Sequence, residues 1–304
     1  MKKVKNGNEK SGIVILDKCE GITSQTAVNR IKRLFSVKTA GHTGTLDPLA
    51  TGVLPVLVGR AVKASEYMLT SEKHYIATLT LGITTDTEDI TGTVLTENSN
   101  IPKEEEVFSA CRSMVGEIMQ TPPMYSAIKI DGKRLMELAR EGKTVERSPR
   151  PVTVYSLSAE KLSEREYSLD VECSKGTYIR TLCADIGEKL GCGGVMSTLR
   201  RAEAAGFSLE CAHTLEEFEN MTEEEKDSCV IPVEEIFKKY DIVKLPEFFA
   251  RLAHNGAHIY QKKIGTHYEK GARVRLYDED GFFALGEVRE YEDGATAIKP
   301  IKSF

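Results

Sequence analysis

No apolar run in the chain approaches the ~18 residues that span a bilayer as a helix. The first residues, MKKVKNGNEK, pass directly into SGIVILDK without the apolar segment of a secretory signal. Neither secretion nor membrane insertion is signalled, and the expected location is cytoplasmic. The seven cysteines form no C-x-x-C pair, and their odd number fits a disulfide framework badly, so reduced thiols are expected. No H-E-x-x-H and no Cys/His pairing is spaced for a metal, so neither a structural nor a catalytic metal is expected. The Lys-Ser/Thr ending of a P-loop is missing, as is a G-x-G-x-x-G after a strand, which argues against nucleotide binding. Internal repeats and low-complexity segments are also missing.

A basic balance is lacking too, since the net charge is −5. The distribution is uneven, however. Residues 1–63 carry eleven Lys/Arg against four acids, whereas 210–239 carry ten acids against three lysines. A basic face at one end could therefore engage a polyanion.

At 304 residues the chain exceeds the ~250 at which one hydrophobic core stops growing, so a large domain with a smaller companion is expected. GIVILDK reads as a buried strand. Thr23 and Ser24 then cap a helix whose apolar positions Ala27, Val28, Ile31 and Phe35 repeat at helical spacing. Val53–Val58 reads as a second buried strand leading to a helix over 61–69. Tyr75–Leu81 reads as a strand, TTDTEDITG as a polar turn, and 103–115 as a helix. Strands near 152–158 and 166–173, a helix over 178–190 and short acidic helices to 239 follow. Strands broken by helices without regular βαβ alternation point to an α+β domain around a largely antiparallel mixed sheet. Beyond Lys244 the texture changes to compact strands, ARVRLYD, FFALGEV and ATAIKP, separated by Asp-Gly turns, which reads as a small β-barrel.

One stretch stands out. GHTGTLDPLATGVLP sets a single carboxylate, Asp47, in a loop of glycines, threonines and prolines between two packed elements. A loop aspartate is ordinarily a turn residue, and Asp-Pro is a common turn dipeptide. GHTGTLDPLATGVLPVLVGRAVK resembles the catalytic signature of the TruB family, tRNA pseudouridine synthases that isomerise uridine 55 in the T loop. The resemblance continues, in family order, through DKxxGxTS (Asp17 to Ser24), KHYIATLTLGITTDTEDITG (Lys73 to Gly92), PPMYSAIKIDGKRL (Pro122 to Leu135), SKGTYIRTL (Ser174 to Leu182) and LRRAEAAGF (Leu199 to Phe207). Two departures are small: Cys19 stands where the family usually has proline, and Met136 where an aromatic is common.

The resemblance implies a pseudouridine synthase catalytic domain over 1–240, with a thumb insertion at about 124–150, and a PUA-like RNA-binding domain over 241–304. It makes Asp47 the nucleophile or electrostatic partner of the sugar. Arg180 would lie against that carboxylate, and Tyr75 would stack on the flipped uracil. Tyr178 and Leu199 would line the pocket, and His42 would enter the T loop in place of the flipped base. Lys18, Arg60, Lys63, Lys129, Lys133 and Arg134 are the candidates for backbone phosphates. The implied partner is the T arm of tRNA, with no cofactor, no obligatory protein partner and a monomeric state, and a tRNA-folding role could coexist. Two rivals stand beside this reading: an RNA-binding or tRNA-folding protein whose chemistry is secondary, and a guide-RNA-dependent, dyskerin-like catalytic subunit.

Overall fold

The computed structural model describes residues 10–69, 72–130, 132–291 and 294–304. Lys2, Lys3 and Lys5 of the basic N-terminal stretch lie outside them, as do Glu292 and Asp293 of the last expected turn.

Seven strands carry the main sheet: β1 (Gly12–Lys18), β2 (Thr51–Val58), β3 (Lys73–Leu81), β4 (Gly116–Gln120), β5 (Arg150–Lys161), β6 (Glu166–Cys173) and β7 (Gly194–Ala204). Their spatial order is β1-β2-β7-β3-β6-β5-β4, and two short strands, Ala40–His42 and Phe207–Ser208, pair at its margin. Every pairing along this path is antiparallel except β2 with β7. The α+β, largely antiparallel expectation matches this sheet.

The alternation of a strand explains why β1 is apolar from Ile13 to Leu16. Val14 and Leu16 point into one core, shared with Val28 and Ile31 of helix α1 (Ser24–Leu34) and with residues of α2 (Glu104–Arg112) and α3 (Ile179–Lys189). Ile13 and Ile15 point into a second core on the opposite face, with Val53, Leu57 and Phe237. Both faces are covered over this stretch, and the polar residues Asp17 and Lys18 come only at the strand's end. Helix α1 starts where its sequence predicts: the Thr23 hydroxyl accepts from the Thr26 amide, and Lys32 and Arg33 sit in the last turn.

Three local expectations change. The segment 61–69 is a 3₁₀ turn over Gly59–Ala64 followed by one helical turn, Ser65–Met68. Strand β4 was not anticipated, and neither was β7, which lies near the middle of the sheet. In β7 the run LRRAEA carries too many polar residues to read as a buried strand, yet Arg201 is only 1% exposed.

A second sheet begins at Asp241: β8 (Asp241–Lys244), β9 (Ile259–Tyr260), β10 (Arg273–Asp278), β11 (Gly281–Glu290) and β12 (Thr296–Ser303), in the order β8-β10-β11-β12-β9. With α4 (Glu247–His254) it encloses its own core around Val274, Leu276 and Ile298. It is not a free appendage. Leu285 is buried in the same cluster as Ile13, Val53 and Phe237, and the Phe237 ring lies 5.5 Å from Phe304 and 5.9 Å from Phe282.

This continuity predicts that Leu285→Ala lowers the stability of the whole chain by about 2–5 kcal/mol, the usual cost of truncating a buried leucine. Calorimetry should show one transition moved to lower temperature. A separate early transition, with the main one unmoved, would mean that the second sheet unfolds independently.

Candidate active site

The loop 43–50 leads into β2, and its shape is fixed from three sides. The Ser24 hydroxyl both accepts from the Leu46 amide and donates to the Leu46 carbonyl, each at 2.8 Å. The Gly21 amide bonds the Pro48 carbonyl at 2.9 Å. The Lys18 ammonium donates to the carbonyls of Cys19, Ile22 and Pro48 at 2.8, 2.9 and 3.4 Å. Lys18 is fully buried, and its three donors are satisfied by backbone, so the expected phosphate contact is corrected: it clamps the loop instead.

Sheet register supplies the third side. Arg201 on β7 pairs with Tyr75 on β3 to one side and with Gly52 on β2 to the other. Its guanidinium donates to the carbonyls of Val53 (2.7 Å), Gly44 (3.1 Å) and Thr45 (3.5 Å), tying the loop to the sheet. Gly52 is required here, because a Cβ would lie 2.2 Å from the Arg201 carbonyl oxygen and φ is +102°.

Arg180, at the start of α3, is 5% exposed and is the pivot of the site. Its Nε lies 3.0 Å from Asp47 Oδ2. Nη1 donates to the Thr87 carbonyl at 3.0 Å and Nη2 to the Tyr125 carbonyl at 2.8 Å, so the guanidinium plane is fixed. Asp89 Oδ2 is a second counter-charge 3.7 Å from Nη1, and Asp89 Oδ1 accepts from the hydroxyls of Thr87 and Thr91. Asp47 keeps 37% of its side chain exposed, and Oδ1 has no recorded partner among the described residues. One carboxylate oxygen is therefore anchored, and the side chain stays partly open to the cavity.

Asp47, Tyr75, Tyr178, Arg180 and Leu199 line a single cavity of about 320 Å³, at the lower end of small-molecule clefts. Tyr125, Ser126 and Met136 of the 124–150 segment form part of its wall. Met136 thus faces the cavity, which gives that departure more weight than a packing contact. Burial pushes the hydroxyl pKa of Tyr75 and of Tyr178 above the ordinary tyrosine value, and the Arg201 charge opposes this at Tyr75. Both phenols stay protonated at neutral pH.

The remaining expected residues lie outside the cavity lining. His42 ends the short strand Ala40–His42, half-buried, with Nδ1 accepting from the Gly44 amide at 3.3 Å. Burial, aided by the Arg201 charge, lowers its pKa and keeps the ring neutral. Lys129 and Lys133 are exposed on the hairpin of Lys129–Ile130 with Lys133–Arg134, and Lys133 lies 3.7 Å from Glu141. Arg60 and Lys63 are exposed at the junction of the two sheets. They donate to the carbonyls of Phe304 (3.3 Å) and Ser303 (3.0 Å) and so join the first sheet to the second. Arg201 and Asp89 were missed: LRR was read only for Leu199, and TTDTEDITG only as a turn. Among the described residues no three His, Cys, Asp or Glu side chains group as metal ligands, and no helix is long and apolar enough to cross a membrane.

Comparison with known proteins identifies the family. Family models for the TruB pseudouridylate synthase N-terminal domain and the tRNA pseudouridylate synthase B C-terminal domain match residues 32–179 and 180–238. The second sheet lies beyond both matches. The chain is 41% identical to tRNA pseudouridine synthase B of Alkaliphilus oremlandii, over 96% of this chain and 98% of that one. It is 42% identical to the Clostridium tetani protein of the same name, over 91% and 95%. A chain in a crystal structure of a Cbf5-Nop10-Gar1 complex superposes with a TM-score of 0.71 at 26% identity, covering 97% of this chain and 85% of that one. With the loop carboxylate, its buried arginine and the cavity tyrosines in place, the chain belongs to the TruB family and is a tRNA pseudouridine synthase.

Proposed function

We propose that the chain isomerises uridine 55 in the T loop of tRNA, acting as a cytoplasmic monomer without guide RNA, cofactor or obligatory protein partner, and that Asp47 carries the chemistry. The observation behind this reading is the 3.0 Å contact of Arg180 with Asp47 on the wall of the cavity. The identities of 41–42% to proteins named tRNA pseudouridine synthase B, against 26% to a chain of the Cbf5-Nop10-Gar1 complex, favour the stand-alone form.

The reaction breaks the bond from N1 of uracil to C1′ of ribose, turns the ring, and closes a bond from C5 to C1′. The proton on C5 leaves and N1 gains one, so no atom is added. A retaining glycosidase needs two carboxylates because its leaving group departs and water must be activated. Here the base never leaves the cavity, so one carboxylate suffices. Arg180 compensates its charge and fixes its position, and the other oxygen, Oδ1, is the one to approach C1′ or stabilise positive charge there. Tyr75 and Tyr178 supply apolar ring surface for the uracil. Asp89 keeps Arg180 in place as a positioning residue. Lys129, Lys133 and Arg134 on the exposed hairpin are placed to meet RNA phosphates as the 124–150 segment closes, and the second sheet serves as a PUA-like RNA-binding unit.

The target base is stacked in a folded loop, and flipping it out costs a few kcal/mol. The neutral His42 ring, beside the loop and outside the cavity, is suited to stack in the vacated position, where a ring against a base contributes ~1–3 kcal/mol.

Purified chain incubated with an unmodified tRNA transcript in EDTA should form one pseudouridine in the T loop, detected by chemical mapping. Strict dependence on an added RNA, protein or metal would overturn the stand-alone reading.

His42→Ala should slow modification of folded tRNA by about tenfold or more, the rate equivalent of 1–3 kcal/mol of lost stacking, with little change in melting temperature. A large fall in melting temperature with unchanged activity would assign His42 to packing.

A further inference from the structure

Arg201 presents an electrostatic imbalance that loop clamping alone does not explain. Its side chain is buried and lines the cavity, yet among the described residues it makes no ion pair with any carboxylate. Three of its contacts go to the carbonyls of Gly44, Thr45 and Val53. A carbonyl carries only a partial charge, so the guanidinium keeps most of its field. A buried cation without a full counter-charge is costly, and in an open cavity it attracts negative charge.

A second cation converges on the same spot. Lys73, the first residue of β3 and the register partner of Ala204 on β7, also lines the cavity. A Cβ placed on Gly44 would lie 3.5 Å from Arg201 Nη1 and 3.8 Å from Lys73 Cε, so both side chains flank this glycine. Burial, and then the Arg201 charge, push the Lys73 pKa below the ordinary lysine value, as two cations sharing one wall require. Lys175, exposed, borders the cavity as well and adds positive charge. Asp47, three residues beyond Gly44, is already compensated by Arg180.

We propose that Arg201 and Lys73 form a positive wall that stabilises the uracil ring while it carries the electron pair released when N1 separates from C1′. This rests on the assignment of Asp47 to the sugar. In the step, the N1–C1′ bond breaks and its electron pair stays on the ring, delocalised from N1 onto O2 and O4. The two cations lower the energy of that anion without giving up a proton, a preorganised field at the place where charge develops. When the C5–C1′ bond forms, the ring gives its electron pair to C1′ and becomes neutral, and loss of the C5 proton with gain of one at N1 then restores the conjugated ring. The cations thus favour the separated ring more than the bound nucleoside, which accelerates the chemical step rather than binding. Tyr75, the register neighbour of Arg201, sits within the same field.

Arg201 clamps the loop, so its removal would confound fold with chemistry, and Lys73 is the side chain to change. The test compares Lys73→Met and Lys73→Arg with the wild-type chain in single-turnover reactions at saturating enzyme. The substrates are a T-arm RNA with uridine at the target and the same RNA with 5-fluorouridine, whose ring forms the more stable anion; because its C5 carries fluorine instead of the proton lost last, the rate read on both is that of breaking the N1–C1′ bond. Lys73→Met should lose at least about tenfold in rate on uridine, Lys73→Arg should recover most of that loss, and the Met deficit should shrink on 5-fluorouridine. An unchanged rate on uridine at saturation overturns the proposal. This holds even if RNA affinity and its salt slope fall, which would mark Lys73 as a backbone phosphate contact. An equal deficit on both substrates also overturns it, since a packing role has no dependence on the leaving group. Neither result would touch the assignment of Asp47, which is read separately from Asp47→Asn.

Discussion

A guanidinium that is 5% exposed must have its charge answered, and in this protein two carboxylates answer it. Arg180 is gripped by the Thr87 and Tyr125 carbonyls and flanked by Asp89, so the geometry of Asp47 is imposed on it by a side chain that cannot move. The elements supplying these groups come from far apart: the loop before β2, the turn after β3, the 124–150 segment and the start of α3. Much of the fold can be understood as the scaffold that brings those four to one point. The carboxylate pays little conformational entropy on meeting substrate because its rotamer is already set.

The sheet sets the second requirement. β7 lies between β2 and β3, and its register puts Arg201 beside Gly52 and Tyr75. From that position one buried arginine reaches the carbonyls of the loop, and Gly52 leaves the space for it. Two arginines thus divide the work. Arg180 compensates the carboxylate, while Arg201 holds the loop and keeps an unpaired positive charge at the cavity wall.

Much of this was readable in the residues. The apolar run of β1, the cap of α1 and the Asp280-Gly281 turn of the second sheet are local signals, and local chemistry decides them. The Asp47 loop was readable because glycine, proline and threonine at that density constrain a backbone. What escaped is non-local. The central strand β7 looks too polar to be buried because Arg201 finds its hydrogen bonds on neighbouring elements, not within its own segment. Lys18 reads as a basic surface group, but it is enclosed by backbone carbonyls. A lysine's letter carries charge but not the position of the carbonyls that will surround it. Asp89 was hidden inside a turn whose polar composition already seemed sufficient explanation.

The central claim is that the charge on Asp47, fixed by Arg180, is what the reaction uses. The most direct measurement is the single-turnover rate of Asp47→Asn on T-arm RNA, with RNA affinity and melting temperature recorded on the same preparation. Asparagine retains size and much of the hydrogen bonding, and Asp89 continues to compensate Arg180, so fold and affinity should stay close to wild type. Pseudouridine formation should fall to background. Turnover near the wild-type rate, with normal binding, would contradict the account and return Asp47 to the status of a turn residue.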